Sequence, residues 1–159
     1  MGAMTTFERL TADLTTSMKA RTAFRTNTVR QMIAAVRVAE KSGTAAHELT
    51  EEQVQAVLAG EVKKRRESAQ IYTGAGATER AETETAEADL IEAYLPAALS
   101  PEQLDAIVAA AIASTGATTV KDMGTVMKAA NLAAASVGRV DGKALSGAVR
   151  QALSGGSAA

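Results

Sequence analysis

The sequence predicts an all-α protein, with an N-terminal four-helix unit at 5–96 followed by a C-terminal three-helix unit at 97–154. Three observations carry this reading. Apolar residues recur at helical spacing along most of the 159 residues, and no sustained apolar–polar alternation between turn residues marks a strand. Apolar residues make up 47% of the chain but aromatics only 3%. The core must therefore be built from Ala, Leu, Val, Ile and Met at close range, which suits helix packing. A chain of this length has room for one or two domains, each with a modest core.

The elements follow in order. Thr5 and Thr6 can cap a first helix over about 6–20, whose apolar side is Phe7, Leu10, Leu14 and Met18. Val29, Met32, Ile33 and Val36 mark a second, about 23–42, with Lys41 suited to its C-terminus and Gly43 as its stop. Thr50 and Gln53 form a capping box for a long third helix traced by Val54, Leu58, Val62, Ala69 and Tyr72, expected to end before Gly74. After TGAGAT at 73–78, a fourth helix over about 78–94 turns Leu90, Ile91 and Tyr94 inward, and Pro96 closes the unit.

Ser100-Pro101-Glu102-Gln103 is the strongest start signal: a serine cap, proline in the first turn and glutamine at the boxed position. Leu104, Ile107, Val108, Ala111 and Ile112 carry this fifth helix to Gly116. A sixth, about 119–134, uses Val120, Met123, Val126 and Met127. A seventh, about 142–153, uses Leu145, Val149 and Leu153 behind an Asp141 N-cap, and the final SGGSAA is expected to be disordered. All four aromatics, Phe7, Phe24, Tyr72 and Tyr94, are expected in the core.

Several function classes fall away on composition. With no cysteine, the chain has no disulfide, thiolate metal site or cysteine nucleophile, in keeping with a reducing compartment. Cytoplasm is the expected location. No apolar run approaches the roughly 20 residues of a membrane span, and no secretory signal is recognisable, so no membrane partner is expected. Gly2 and Ala3, between two methionines, read as a cloning remnant, with Met4 as the expected native start.

His47, the single histidine, falls in the polar loop between the second and third helices and reads as solvated surface rather than as a catalytic base. Glu79, Glu82, Glu84, Glu87, Asp89 and Glu92 suit a solvated helix face better than a metal site, because no histidine or bent ligand loop accompanies them. Gly74-Ala75-Gly76 lacks the lysine and the preceding strand of a phosphate loop. No cofactor, metal or catalytic residue is expected, and the chain reads as doing no bond chemistry alone.

Charge is informative through its distribution. Residues 1–73 hold eleven Lys or Arg against eight Asp or Glu, 79–105 hold one against eight, and from 116 onward five cations face two anions. Such segregation can orient a polyanion. Lys63, Lys64 and Arg66 of the Lys63-Lys64-Arg65-Arg66 run are candidate phosphate contacts, with Arg65 in the apolar stripe. Glu61 to Arg65 and Lys63 to Glu67 pairing on a solvated face is the competing reading. Arg30, Arg37 and Lys41 form another possible stripe.

The last third supplies the sharper candidates: KDMGTVMKA at 121–129, and GRVDGKALSGAVRQAL at 138–153. Glycine inside a helix costs roughly 1 kcal/mol relative to alanine, so Gly124 and Gly147 are expected to serve close packing or a partner's approach. Gly138-Arg139-Val140-Asp141-Gly142-Lys143 enters a helix whose first amides suit an anion, although the Asp141 carboxylate competes for them. A tight interhelix turn with solvated cations is the alternative. Lys121, Lys128, Arg139, Lys143 and Arg150 are the candidate phosphate contacts here, with Gly124, Gly138, Asp141 and Gly142 as the structural motif.

This Lys-Asp-Met-Gly-x-x-Met pattern, the Gly-Arg-x-Asp-Gly-Lys loop and the final Val-Arg helix resemble the GatB/YqeY family, in its free-standing YqeY-like form. The likeness extends from the Phe7 to Leu14 start through KKRRESAQIY and the Tyr-Leu-Pro junction. It implies the same two-part helical division. Because the GatB tail belongs to the part of the tRNA-dependent amidotransferase that engages tRNA, it also implies a non-catalytic module binding tRNA or a tRNA-handling protein. An accessory role in glutamine-dependent carbon–nitrogen ligation is one alternative, needing a partner subunit. A protein-interaction scaffold using the acidic fourth helix is another. DNA is not expected as a partner. The alanine-rich AANLAAASV at 129–137 departs from a more basic expectation, and aromatics for base stacking are scarce, so any RNA is expected to be read by shape and backbone.

Overall fold

The computed structural model describes residues 2–43 and 47–155. Among them are seven α-helices, one 3-10 turn and no strand. The chain divides into two compact units, Met1–Leu95 and Pro96–Ala159. None of the described helices is by itself long and apolar enough to cross a membrane.

The first unit holds α1 (Thr6–Lys19), α2 (Ala23–Lys41), α3 (Glu51–Gly74) and α4 (Thr78–Glu92). Its core joins Leu10, Val29, Met32, Leu58, Val62, Ala88, Ile91, Tyr94 and Leu95. Capping boxes start α1 and α3: the Thr5 and Thr50 hydroxyls accept from the amides of Glu8 and Gln53, whose side chains accept in return. Thr6 is no cap. It is buried, and its amide and hydroxyl donate to the Glu51 carboxylate, joining the N-termini of α1 and α3.

The turn from α1 to α2 is closed by Arg21 N–H to Met18 and Thr22 N–H to Ser17, with Arg21 left-handed at φ +58°. Glycine usually fills that position. Near the end of α1 the buried residue is Ser17, whose hydroxyl accepts from Thr26 at 2.9 Å and donates to the Leu14 carbonyl. Met18, expected inside, stays exposed, and its sulfur accepts from Arg30. Phe24 is also exposed, contrary to expectation, while Phe7 and Tyr72 are half-buried beneath Arg37 and Arg80. Helix α3 runs through Gly74 rather than stopping before it, because the left-handed residue that closes it is Gly76 at φ +75°. Ala77 N–H then reaches back to the Tyr72 carbonyl. Helix α4 ends at Glu92, two residues short of the expected limit.

The second unit holds α5 (Pro101–Thr115), the 3-10 turn Val120–Asp122, α6 (Met123–Ala134) and α7 (Gly142–Gly155). Its core is Ile107, Val108, Ala111, Val126, Ala130, Ala134, Leu145, Val149 and Leu153. The Ser100–Gln103 box starts α5, and Gly116 at φ +68° stops it. The 3-10 turn replaces the expected first turn of the sixth helix and leaves Val120 exposed. Its geometry follows Asp122, whose carboxylate accepts the Thr118 and Thr119 amides at 3.0 and 3.2 Å. Helix α7 continues through Gly155, so Ser154 and Gly155 are helical and the remainder of the tail lies outside the described residues.

Candidate functional site

Charge pairing separates the two candidate clusters. On α3, Arg65 lies in the apolar stripe, as the spacing predicts, with its side chain 11% exposed. Its guanidinium donates to Glu61 of the same helix at 2.8 Å, to Glu87 of α4 at 2.9 Å and to Gln31 of α2 at 2.6 Å. Burial works against this cation, yet the two carboxylates outweigh it and hold its pKa above the ordinary arginine value. Burial similarly acts to raise Glu61, but hydrogen bonds from Arg65 and Lys64 hold it below the usual carboxylate range.

Arg66 reaches Asp89 at 2.8 Å and Glu92 at 2.6 Å on α4. Lys64 pairs with Glu61 at 3.2 Å. Lys63 is exposed, and the expected Lys63–Glu67 pair does not form among the described residues. Arg65 and Arg66 of α3 are thus neutralised by Glu87, Asp89 and Glu92 of α4, while Lys64 is paired within its own helix. The pairing was hidden in the sequence because 22 to 26 residues separate the partners.

The C-terminal cations are arranged differently. Lys143 and Arg150 lie seven residues apart and leave one face of α7 on either side of Gly147, opposite Leu145, Val149 and Leu153. Gly124 and Lys128 share an exposed face of α6, away from Val126, Ala130 and Ala134. Lys121 is exposed on the 3-10 turn. None of Lys121, Lys128, Lys143 and Arg150 pairs with a carboxylate among the described residues.

Local structure explains the loop before α7. Arg139 N–H donates to the Ala97 carbonyl at 3.0 Å, and Leu99 N–H donates to the Arg139 carbonyl at 2.9 Å, a single parallel bridge that fixes the half-buried Arg139. Asp141 caps α7, accepting the Ala144 amide at 3.2 Å, so the carboxylate that competes with an incoming anion does occupy this helix start. Of the motif glycines, only Gly138 is closely approached. A β-carbon on Gly124, Gly142 or Gly147 would meet nothing within 4 Å. Of the two roles expected for Gly124 and Gly147, close packing finds no neighbour among the described residues, which leaves the close approach of a partner.

His47 is exposed, with its amide donating to the Glu40 carbonyl. A cavity of about 380 Å³ in the first unit is lined by Phe7, Leu49 and Val54 with Glu8, Glu40 and Glu51. Glu8, Glu40 and Glu51 already serve Thr5, Arg37 and Thr6 respectively, and Glu48 also lines the cavity. Among the described residues no three of His, Cys, Asp and Glu are grouped to hold a metal ion. The sequence reading missed a second network in this unit: Tyr94 O–H donates to Asp13, Arg25 donates to both, and Arg9 stacks on the Tyr94 ring. Tyr94 and Asp13 lie 81 residues apart, so no local pattern announces their contact.

The family model described as Yqey-like protein matches residues 7–153. Among curated proteins, none matches the chain.

Proposed function

The chain belongs to the Yqey-like protein family, and from that premise we propose that it is a non-catalytic helical module that binds structured RNA, tRNA first, through the cations of residues 96–159. The observation that carries this is the contrast in pairing. Within the first unit's Lys63-Lys64-Arg65-Arg66 run, Lys64, Arg65 and Arg66 are held by carboxylates and Lys63 alone is not, whereas Lys121, Lys128, Lys143 and Arg150 all stand on exposed surface without a carboxylate partner among the described residues. Unpaired cations on a polar face are what phosphate contacts need, since binding a polyanion releases its counterions. The resemblance of the two glycine-containing motifs to the GatB tail supports tRNA as the RNA concerned.

In this reading residues 5–96 and 97–154 are separate domains of four and three helices, and the protein acts in the cytoplasm. The weight moves away from Lys64 and Arg66 and onto the second unit, with Lys63 left as an exposed cation of the first. A scaffold role for the acidic fourth helix would rest on Glu79, Glu82 and Glu84, because Glu87, Asp89 and Glu92 are turned to Arg65 and Arg66. An accessory role beside a glutamine-dependent ligase would need a partner subunit to supply the chemistry.

The test is binding of the full chain to bulk tRNA across a salt series. Two double variants accompany it, Arg139→Ala/Lys143→Ala and Lys128→Ala/Arg150→Ala, each checked by thermal melting. Salt-sensitive binding that falls at least about tenfold in the second variant, whose side chains are exposed, supports the reading. Absence of binding at low salt overturns it and leaves docking on a tRNA-handling protein as the reading to pursue.

A further inference from the structure

Resting on that reading, we infer that the RNA element taken by α6 and α7 is a double-stranded stem, held by its phosphates and 2′-hydroxyls, rather than unpaired bases. Residues 96–159 contain no Phe, Tyr or Trp; the chain's four aromatics stand at 7, 24, 72 and 94. Single-strand binding relies on base–aromatic stacking worth roughly 1–3 kcal/mol per base, which this unit cannot supply. What it offers is charge, and a duplex returns more free energy per cation than a single strand because its phosphates are more densely spaced.

Each exposed helix face adds a carboxamide to its cation. Asn131 lies three residues after Lys128, and Gln151 four after Gly147 and next to Arg150. Both side chains are exposed, and neither is hydrogen-bonded among the described residues. A carboxamide donates and accepts, as a 2′-hydroxyl does. The shallow minor groove of A-form RNA displays those hydroxyls, which B-form DNA lacks. Lys143 and Arg150 leave α7 about 10 Å apart along its axis, so they reach separate phosphates. Cations supply attraction to any duplex, and Asn131 and Gln151 supply preference for RNA.

The experiment measures fluorescence anisotropy of the full chain with three probes: an RNA duplex of roughly 16 base pairs, the same sequence as DNA, and a single-stranded oligouridine. The expected result is tightest binding to the RNA duplex, with the single strand weaker by about tenfold or more. The log–log salt slope should be no steeper than about −4.5, as befits the five cations of residues 96–159. Asn131→Ala/Gln151→Ala should bring RNA-duplex affinity down to that of the DNA duplex while leaving the salt slope unchanged. Oligouridine binding as tight as the stem, or no change in the double variant, overturns this inference while RNA binding itself stands. Failure to bind either RNA probe or bulk tRNA overturns the RNA reading as a whole.

Discussion

The carbonyl oxygen of Ala97 lies 2.8 Å from the point where a β-carbon on Gly138 would stand. The obstacle is backbone, not a side-chain end that can swing aside, and Leu99 Cδ2 closes the same space at 3.2 Å. Gly138→Ala must push apart the two hydrogen bonds joining Arg139 to Ala97 and Leu99. A loss of about 1–3 kcal/mol is expected in denaturant unfolding, with weaker tRNA binding as Arg139 is displaced. Gly142→Ala, in open space, is the control and should not destabilise. Equal stability of the two variants would show that the loop relaxes freely.

Gly147 and Gly124 should behave in the opposite sense. Gly147 sits within α7 with nothing near its would-be side chain, so Gly147→Ala should stabilise the protein by up to about 1 kcal/mol. Gly124, in the first turn of α6, should gain less. Both substitutions should nonetheless weaken tRNA binding, because a methyl group then stands between the helix backbone and its partner. Denaturation and binding measured on the same samples separate these effects. A more stable Gly147→Ala with wild-type affinity would place the contact elsewhere.

Thr28 is 1% exposed, and its hydroxyl finds no hydrogen-bond partner among the described residues. A buried, unsatisfied hydroxyl costs on the order of 1–3 kcal/mol. Thr28→Val keeps the shape and removes that cost, so it should raise stability by about 1 kcal/mol, seen as a higher denaturant midpoint. A lower midpoint would mean that the hydroxyl is satisfied in solution.

Acid should weaken the first unit through Glu51. Partial burial acts to raise the pKa of its carboxyl, but the Thr6 hydroxyl and amide, Gln55 and Arg9 outweigh this and hold it below its ordinary value of 4.5. A depressed folded-state pKa contributes stability that is complete above the unfolded value and lost as pH falls through the folded one. Stability should therefore fall below about pH 4.5, and Glu51→Gln should be less stable at neutral pH with a flatter acid limb. An acid limb of unchanged slope in the variant would assign the effect to other carboxylates such as Glu61.

Local chemistry decided what the sequence by itself determined. The Thr50–Gln53 and Ser100–Gln103 boxes, the Asp141 cap and the Gly116 stop involve partners within four residues. A linear pattern contains all the geometry such motifs require. The core faces through Leu10, Val29, Leu58, Leu145 and Val149 were legible for the same reason, since helical periodicity assigns a face once a helix is granted. So were the candidate cations as a set.

Only the tertiary structure decided which cations remain available, because that depends on where carboxylates on other helices come to rest. Arg66 is held by Asp89 and Glu92, whereas Lys128 and Arg150 meet no carboxylate among the described residues. It also decided which glycine is sterically required, singling out Gly138 through the Ala97 carbonyl 41 residues before it in the chain. And it put Ser17 inside and Met18 outside, because Thr26 on the next helix offers Ser17 a buried partner. Each outcome turns on side chains distant in sequence meeting at hydrogen-bonding or van der Waals range, and only the packing of helix on helix sets those distances.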